Sequence, residues 1–203
     1  MLARAKRGAI HLEYTIKRAS DLSEIERIYY SYMTRDFTPD ELKPMISIKK
    51  AWERRAYEAL LLLKEDVVLG YAFFVRLNRD YLLDYFAIAE DYRNMGLGTV
   101  FLKQFSDFIS DADCIVAEIE DPECAENEKD KEMRDKRLLF YLRSGYRETR
   151  VKSKVFGVDY CILEAPNARE HSQTGIRSIY TALYQSILPE PFFRSKFQIR
   201  ETL

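Results

Sequence analysis

The sequence has few cysteines, almost no net charge and no long apolar run, and each shortage excludes a class of protein. Three of its 203 residues are cysteine, at positions 114, 124 and 161, without the spacing of a metal-binding motif. The 32 basic and 33 acidic residues leave a net charge of −1, so no overall basic field indicates a nucleic acid or an anionic membrane. No stretch approaches the roughly 20 apolar residues of a membrane span. We therefore expect neither a nucleic-acid partner nor a membrane-embedded protein.

The amino terminus lacks the apolar core of a secretory signal peptide, although it is basic. Arg4, Lys6 and Arg7 are not followed by an apolar stretch. An odd number of cysteines without a secretory leader favours reduced thiols, so we expect a cytoplasmic protein. Cys114 and Cys161 stand in apolar runs and are expected in the core.

Length and composition fit one folded domain. With 203 residues, of which 47% are hydrophobic, the chain can bury a substantial core. We expect residues 1–12 to form a flexible leader and residues 13–164 to form the main domain. Residues 165–203 are expected to form a helix and a tail that pack on this domain or at an interface, and a homodimer is one possibility.

Hydrophobic patterning predicts that strands and helices follow one another in a mixed order. A strand at 13–19 precedes two helical stretches, which a break at Thr38-Pro39-Asp40 separates. Three strands joined by short turns then span residues 59–89, and Gly70 in the second of them allows a bulge or a close approach. After a central helix, the pattern predicts a strand at 114–119, a helix at about 129–144, strands near 148–156 and 159–164, and an amphipathic helix at 176–187.

The stretch from Tyr81 to Ser110 combines a strand, a glycine-containing loop and a helix. The loop reads Arg93-Asn94-Met95-Gly96-Leu97-Gly98. The first N–H groups of a helix have no intrahelical partner and carry partial positive charge, so the loop suits a phosphate or pyrophosphate. Glycines let the main chain approach that anion, although a G-x-G before a helix also occurs for purely conformational reasons. The loop is not a G-x-G-x-x-G dinucleotide motif, because position 101 is Phe.

Two stretches of the chain resemble signatures of one enzyme family. The loop, with Arg three residues before its first glycine and a strand ending Phe86-Ala87-Ile88-Ala89 ahead of it, resembles the acetyl-CoA-binding signature of the GNAT superfamily of N-acetyltransferases. Phe140 to Tyr146 is similar to the family's second signature, aromatic-Tyr-x-x-x-Gly-aromatic. The resemblance covers about residues 13–164. It implies an α/β (α+β) fold with a mixed, mostly antiparallel sheet of six to seven strands flanked by helices, to which this chain adds a C-terminal helix.

The resemblance implies an N-acetyltransferase that moves an acetyl group from acetyl-CoA to a primary amine of a small molecule, peptide or protein. Transfer is expected by direct attack in a ternary complex. The loop amides would hold the CoA pyrophosphate, Arg93 would fix the loop or touch a phosphate, and the strand would pair with the pantetheine arm. The expected acetyl-CoA-binding residues are Phe86, Ala87, Ile88, Arg93, Asn94, Met95, Gly96, Leu97, Gly98 and Thr99. Arg134 stands where many members carry a CoA-contacting Asn, and we include it as a phosphate ligand.

Acetyl transfer to an amine calls for a proton donor and a base. A phenol with a pKa of about 10 is only modestly mismatched to a thiol of about 8.5, and the family motif makes Tyr141 the candidate acid; alternatively it is a partly buried helix residue. An amine is charged at neutral pH, so a carboxylate is useful as the base. The candidate acids are Asp84 on the central predicted strand and Glu118 and Glu120 on or directly after the next one. We favour Glu118, with Asp84 next; the alternative is that they pair with cations.

The remaining candidates have a structural alternative. Phe37, Met45 and Trp52 either line the acceptor site or pack in the core. The acidic run 120–128 either attracts a cationic amine or is a solvated loop. His11 and His171 are expected at the surface, and no metal is expected.

Two other functions remain open. One is a non-catalytic acyl-CoA-binding or regulatory module on the same scaffold, which the Arg134 departure and the uncertain base motivate. The other is an interaction protein that uses the aromatic and basic tail, Phe192 to Phe197, as a partner or self-association surface.

Overall fold

The computed structural model describes residues 2–5, 12–39, 41–166 and 170–201, so the predicted surface position of His11 lies outside the described residues. The described chain forms nine strands. They are β1 (Leu2–Ala5), β2 (Leu12–Arg18), β3 (Tyr57–Lys64), β4 (Val67–Leu77), β5 (Asp80–Ile88), β6 (Cys114–Glu120), β7 (Arg147–Val155), β8 (Val158–Glu164) and β9 (Phe197–Glu201).

The described residues also form seven α-helices, all of them between strands. They are α1 (Leu22–Ile28), α2 (Thr34–Asp36), α3 (Met45–Glu53), α4 (Leu97–Phe108), α5 (Glu128–Arg143), α6 (Gln173–Ile187) and α7 (Glu190–Lys196). A π-helical turn, Tyr29–Met33, joins α1 to α2, and 3-10 turns occupy Glu90–Tyr92 and Pro122–Cys124. Within the described ranges, no helix combines the length and the apolar character that crossing a membrane requires.

The predicted fold class is confirmed, and the described sheet has nine strands where six to seven were predicted. One addition is β1, which pairs antiparallel with β2 and belongs to the segment predicted to be a flexible leader. The other is β9, which pairs antiparallel with β7. Both are short strands at a sheet edge, and their pairing depends on backbone hydrogen bonds rather than on a polarity pattern that the sequence could display.

The chain divides into two compact units, and β4 and β5 each run through both. Unit 1 comprises residues 1–74 and 84–108, and unit 2 comprises residues 75–83 and 109–203.

Unit 1 carries the strand order β1-β2-β3-β4-β5. The polarity alternation in β2 has the predicted effect: Tyr14 and Ile16 are buried, whereas Thr15 and Lys17 are exposed. Asp21 caps α1 by accepting a hydrogen bond from the backbone N–H of Glu24 at 3.0 Å. Such a cap satisfies one of the free donors at the start of the helix.

An aromatic cluster fixes α4 in unit 1. The ring of Phe105 lies 5.0 Å from that of Phe74 on β4 and 5.1 Å from that of Phe101 on the same helix. Phe86 on β5 lies 5.7 Å from Phe101. These edge-on and tilted ring pairs add to the burial of a large apolar area. They hold the helix, and therefore the loop that precedes it, on β4 and β5.

Unit 2 carries the order β4-β5-β6-β8-β7-β9. The β5–β6 pair is parallel, and β8 pairs antiparallel with both β6 and β7. The predicted tail is part of this unit's core, since Phe197 is 8% exposed and its ring lies 5.5 Å from Tyr180 and 4.9 Å from Tyr184. Phe192 is 52% exposed, so only part of the predicted tail surface faces solvent.

Gly70 on β4 is a point of close approach, one of the two roles that the sequence allows for it. A Cβ atom at this position would lie 2.8 Å from the carbonyl oxygen of Ala87 and 2.7 Å from Cδ1 of Ile88. The backbone N–H of Ala89 donates to the carbonyl of Leu69 at 2.9 Å. A glycine is therefore needed where β4 passes the end of β5.

We expect Gly70→Ala to lower the free energy of unfolding by about 1–3 kcal/mol, because the Ala87 carbonyl belongs to the backbone and cannot move without distorting β5. Chemical denaturation measures this change. Gly175→Ala in α6 is the control and should change stability less. Its new Cβ would meet side-chain atoms, the nearest being Ser172 Oγ at 3.3 Å, and alanine has a higher helix propensity than glycine. Equal stability of Gly70→Ala and the wild-type protein would contradict the packing at Gly70.

Candidate functional site

The loop before α4 presents backbone N–H groups to solvent. Asn94 and Gly96 have positive φ values of 63° and 78°, and α4 begins at Leu97. The N–H of Val100 donates to the Gly96 carbonyl at 3.2 Å, so the N–H groups ahead of it in the first turn have no carbonyl four residues back in the helix. Asn94, Met95 and Gly96 are exposed, and a Cβ at Gly96 would meet nothing within 4 Å. The loop is therefore open to an anionic ligand.

Arg93 anchors this loop. Its Nε donates to the carbonyl of Ile88 at 2.9 Å, and its Nη2 lies 2.9 Å from Oδ1 of Asp36. The other oxygen of Asp36 accepts from the buried hydroxyl of Tyr71 at 2.8 Å. Burial raises the pKa of Tyr71, and the charge of Asp36 adds to the effect, so Tyr71 remains a donor. Of the two roles expected for Arg93, this geometry supports loop fixation.

The strand that leads into the loop is paired with β6 for only part of its length. Among the described residues, the parallel register joins Asp80–Leu83 to Cys114–Ala117, whereas β5 continues to Ile88. Phe86, Ala87 and Ile88 are all half-buried. The residues expected to pair with the pantetheine arm thus follow the part of β5 that pairs with β6 in the described structure.

Asp84, a candidate base, is held by a cation and a phenol in unit 1. Its Oδ1 lies 2.5 Å from Nζ of Lys43, and its Oδ2 accepts a hydrogen bond from the hydroxyl of Tyr57. The side chain of Asp84 is 1% exposed and that of Lys43 is 18% exposed. A carboxylate this deeply buried needs such partners, because an unpaired charge would be costly to desolvate. This geometry matches the paired alternative that the sequence left open.

Glu118, the favoured base, is held by two phenols in unit 2. The hydroxyl of Tyr180 donates to Oε2 at 2.6 Å, and that of Tyr184 lies 2.7 and 2.8 Å from the two carboxylate oxygens. The hydroxyl of Ser153 lies 3.0 Å from that of Tyr180. Burial raises the pKa of Tyr180 well above its usual value, and the Glu118 carboxylate adds to this shift. Tyr180 therefore stays neutral and donates.

Sequence reasoning did not assign Tyr180 and Tyr184 to Glu118. Both belong to the predicted apolar stripe of α6 and are at most 1% exposed. Because they are four residues apart, they lie on one face of the helix, and this spacing predicted only that they pack in the core. The hydroxyl groups on that face were the available sign that a buried acceptor had to be nearby.

Tyr141, the candidate acid, is buried at the end of α5. It is 6% exposed, and its ring lies 5.3 Å from Phe140 and 5.1 Å from Tyr146. Burial raises the pKa of Tyr141, and the charge of Arg137 offsets only part of the shift. Gly145 follows with a φ of 97° and supplies the left-handed residue that the predicted helix end requires.

Arg134, the predicted phosphate ligand, contacts groups of its own unit. Its Nη2 lies 2.9 Å from Asp130 and 3.4 Å from Glu120, and its Nη1 donates to the carbonyl of Asp121 at 3.0 Å. Glu120 also pairs with Arg137 at 2.5 Å. Part of the acidic run is therefore neutralised by α5.

His171 differs from the predicted exposed histidine. Its Nδ1 lies 2.6 Å from Oε1 of Glu164, and its side chain is 13% exposed. Glu164 is 2% exposed and also pairs with Arg147, which donates to the carbonyl of His171 at 3.1 Å. Among the described residues, Cys114, Glu164 and His171 form one group of metal-type ligand atoms within 4.8 Å of one another. Because Arg147 and His171 already contact both oxygens of Glu164, we interpret the group as a structural hydrogen-bond network around Glu164.

Each unit gathers a different part of the predicted site. Unit 1 contains the loop from Arg93 to Thr99, the strand residues 86–88, and Asp84. Phe37 is also in unit 1, with its ring 5.0 Å from that of Tyr85, while Met45 and Trp52 are half-buried on α3. Unit 2 contains Glu118, Arg134 and Tyr141.

Comparison with protein families gives one match. A sequence model described as the Acetyltransferase (GNAT) family matches residues 22–127, which is more than half of the chain. No curated protein matches the sequence.

Several solved structures share the fold. A GNAT-family protein from Bacteroides thetaiotaomicron superposes with a TM-score of 0.67 at 17% identity, covering 84% of this chain and 96% of the other. The ribosomal-protein-S18-alanine N-acetyltransferase of Escherichia coli gives 0.55 at 15% identity, with 78% and 97% covered. The yncA protein of Salmonella typhimurium, determined with acetyl-CoA, gives 0.54 at 19% identity, with 78% and 96% covered. At these identities the likeness shows the fold alone.

We expect Tyr184→Phe to lower the free energy of unfolding by about 1–3 kcal/mol, because it removes a hydrogen bond to a charged and half-buried acceptor. Urea denaturation provides the measurement. Tyr30→Phe is the control, since the Tyr30 side chain is 63% exposed and should change stability little. A Tyr184→Phe protein as stable as the control would exclude a structural role for this bond.

Proposed function

The chain belongs to the acetyltransferase (GNAT) family, and on this basis we propose that it transfers an acetyl group from acetyl-CoA to a primary amine. The acceptor is a small molecule, a peptide or a protein. The observation that carries the proposal is the open loop from Arg93 to Gly98 at the start of α4, anchored by Asp36. The odd number of cysteines, all of them free, supports a cytoplasmic location as part of the proposal.

The CoA pyrophosphate would bind the backbone N–H groups of Met95, Gly96, Leu97, Gly98 and Thr99. The start of a helix offers unpaired donors and the positive end of the helix dipole to such an anion. Asn94 and Gly96, with their left-handed backbone, turn the chain so that these groups lie at an exposed surface. No cationic side chain is required for this binding mode.

The pantetheine arm would lie along residues 86–88 of β5. Main-chain groups of a strand that extends past its neighbour are available to an extended ligand, in the same way that an added strand pairs with a sheet edge. In the described structure, the pairing of β5 with β6 stops at Leu83, which supports this placement. The thioester would then lie at the Asp84 end of the arm.

Tyr141 is our candidate proton donor to the departing thiolate. Its raised pKa means that the phenol keeps its proton throughout the range in which an enzyme works, although a higher pKa also makes it a weaker acid. Its contribution would therefore include hydrogen bonding to the thiolate as well as proton transfer.

Glu118 and Asp84 remain the candidate bases, and their environments favour different roles. Glu118 accepts hydrogen bonds from two phenols, which stabilise its negative charge. It can therefore attract an ammonium group and accept its proton, directly or through water. Asp84 is already paired with the Lys43 cation, so an acceptor ammonium would have to replace this partner.

We expect acetyl-CoA to raise the unfolding temperature of the wild-type protein and Gly96→Ala to weaken its binding by roughly 5- to 150-fold. With alanine, the free loop can leave this left-handed conformation. Restoring the conformation on binding would cost about 1–3 kcal/mol, and the methyl group would face the ligand. At a hundred times the Kd, acetyl-CoA should stabilise the protein by about 2.7 kcal/mol. Titration calorimetry gives both affinities.

Gly157→Ala is the matched control for this experiment. Gly157 also has a positive φ, 95°, and open space around its Cβ position, but it lies in the turn between β7 and β8. Its substitution should lower stability and leave acetyl-CoA affinity unchanged. No thermal shift with millimolar acetyl-CoA would overturn the proposed function.

We expect Tyr141→Phe to lower kcat by about 10²–10⁴-fold while acetyl-CoA affinity changes little, because only the proton donor is removed. Release of the CoA thiol with an amine panel provides the assay. Because burial raises the pKa of Tyr141, the wild-type rate should show no loss from ionisation of this phenol as the pH rises to about 10.

Tyr146→Phe is the control and should leave kcat nearly unchanged. Tyr146 is buried beside Tyr141 but is not the candidate proton donor. Acetyl-CoA binding without CoA release from any amine would instead favour the non-catalytic binding module.

A further inference from the structure

We propose that Lys43 is a self-acetylation site, because the fold places its amino group on the Asp84 carboxylate at the end of β5 to which the acetyl-CoA arm would lead. This inference rests on the proposed function and concerns the same site. All the residues that carry it lie in unit 1.

The Lys43 side chain is held in a defined place. Its Nζ lies 2.5 Å from Oδ1 of Asp84 and 5.2 Å from the centre of the Tyr85 ring. A buried carboxylate and an aromatic face both attract an ammonium group. With 18% of its side chain exposed, Lys43 is far more enclosed than an ordinary surface lysine.

The backbone at Lys43 is also fixed. The N–H of Lys43 donates to the hydroxyl of Tyr85 at 2.8 Å, and that hydroxyl donates to the carbonyl of Glu41 at 2.8 Å. The hydroxyl of Tyr29 donates to the Lys43 carbonyl at 3.1 Å. The segment before α3 therefore presents its lysine from a rigid support. Positioning of this kind is what makes attack within one complex efficient.

The direction of β5 relates this lysine to the carrier. The strand ends at Ile88 on the side of the loop, so Asp84 lies four residues back along β5, about 13 Å from Ile88 at 3.3 Å per residue. If the acetyl-CoA pyrophosphate binds the loop and the pantetheine arm lies along residues 86–88, the arm extends toward Asp84. Its thioester would then approach the amine that is paired with Asp84.

The reaction is an ordinary acyl transfer with Lys43 as the acceptor. The Lys43 ammonium gives one proton to the Asp84 carboxylate, which later releases it to solvent. The neutral amine attacks the thioester carbonyl carbon, the new N–C bond forms, and the C–S bond breaks. The second proton lost from nitrogen goes to the departing thiolate, so the products are acetyl-Lys43, the CoA thiol and one proton in solvent.

Mass spectrometry of peptides after incubation with isotopically labelled acetyl-CoA tests the inference. We expect one acetyl group per chain, on Lys43, formed at a rate per chain that does not depend on protein concentration. Lys43→Arg keeps the charge beside Asp84 and should abolish the modification. Asp84→Asn removes the proton acceptor and should slow it by about 10²-fold or more.

Lys17→Arg is the matched control. Lys17 also forms an ion pair in unit 1, with Glu24 at 2.7 Å, but its side chain is 47% exposed and does not contact β5 residue Asp84 in the described structure. Its substitution should leave Lys43 acetylation unchanged. Gly96→Ala should slow acetylation of Lys43, because the carrier must occupy the loop, whereas unassisted acetylation of exposed lysines would continue.

The outcomes separate this inference from the proposed function. Acetyl-CoA binding and transfer to an added amine, with Lys43 unmodified, would overturn the inference and leave the function standing. Equal acetylation of Lys43 and Lys17, insensitive to Gly96→Ala, would also overturn it, since the reaction would then be uncatalysed. Absence of acetyl-CoA binding would overturn the function itself.

Discussion

The ion pair between Arg93 and Asp36 is the constraint on which the ligand loop depends. A loop with two left-handed residues and exposed amides has little packing of its own, so its shape has to be imposed from outside. Arg93 does this by joining the end of β5 to Asp36, whose other oxygen is fixed by the buried Tyr71. The aromatic cluster of Phe74, Phe101 and Phe105 fixes the helix behind the loop. Together these contacts fix the shape of the loop before any ligand is bound, as the proposed function requires.

The two candidate bases meet the same physical problem in different ways. A carboxylate removed from water needs compensation, and the protein supplies a cation to Asp84 and two phenols to Glu118. The cation cancels the charge of Asp84, whereas the phenols preserve the charge of Glu118. In the proposed reaction, an incoming ammonium would have to exchange with Lys43 at Asp84. The helix that supplies the phenols, α6, lies outside residues 22–127, which match the family model.

The sequence predicted the features that depend on local patterns. The alternation in β2, the strand-loop-helix stretch around Gly96 and the helix end at Gly145 are all visible within a few residues. The missed features depend on partners that are distant in the chain: Lys43 and Asp84 are 41 residues apart, Arg93 and Asp36 are 57, and Tyr184 and Glu118 are 66. The edge strands β1 and β9 escaped prediction because four or five residues carry too little periodicity. His171 escaped because its environment depends on Glu164 and Arg147, which no spacing rule connects to it.

The burial of two cysteines has a practical consequence. Cys114 and Cys161 lie in the core, and burial raises the pKa of both thiols to about 12, so neither is nucleophilic at neutral pH. Cys124 is exposed, just ahead of α5. A maleimide dye would therefore attach at one known position of the unmodified protein. Fluorescence studies of its motions could begin without replacing a single residue.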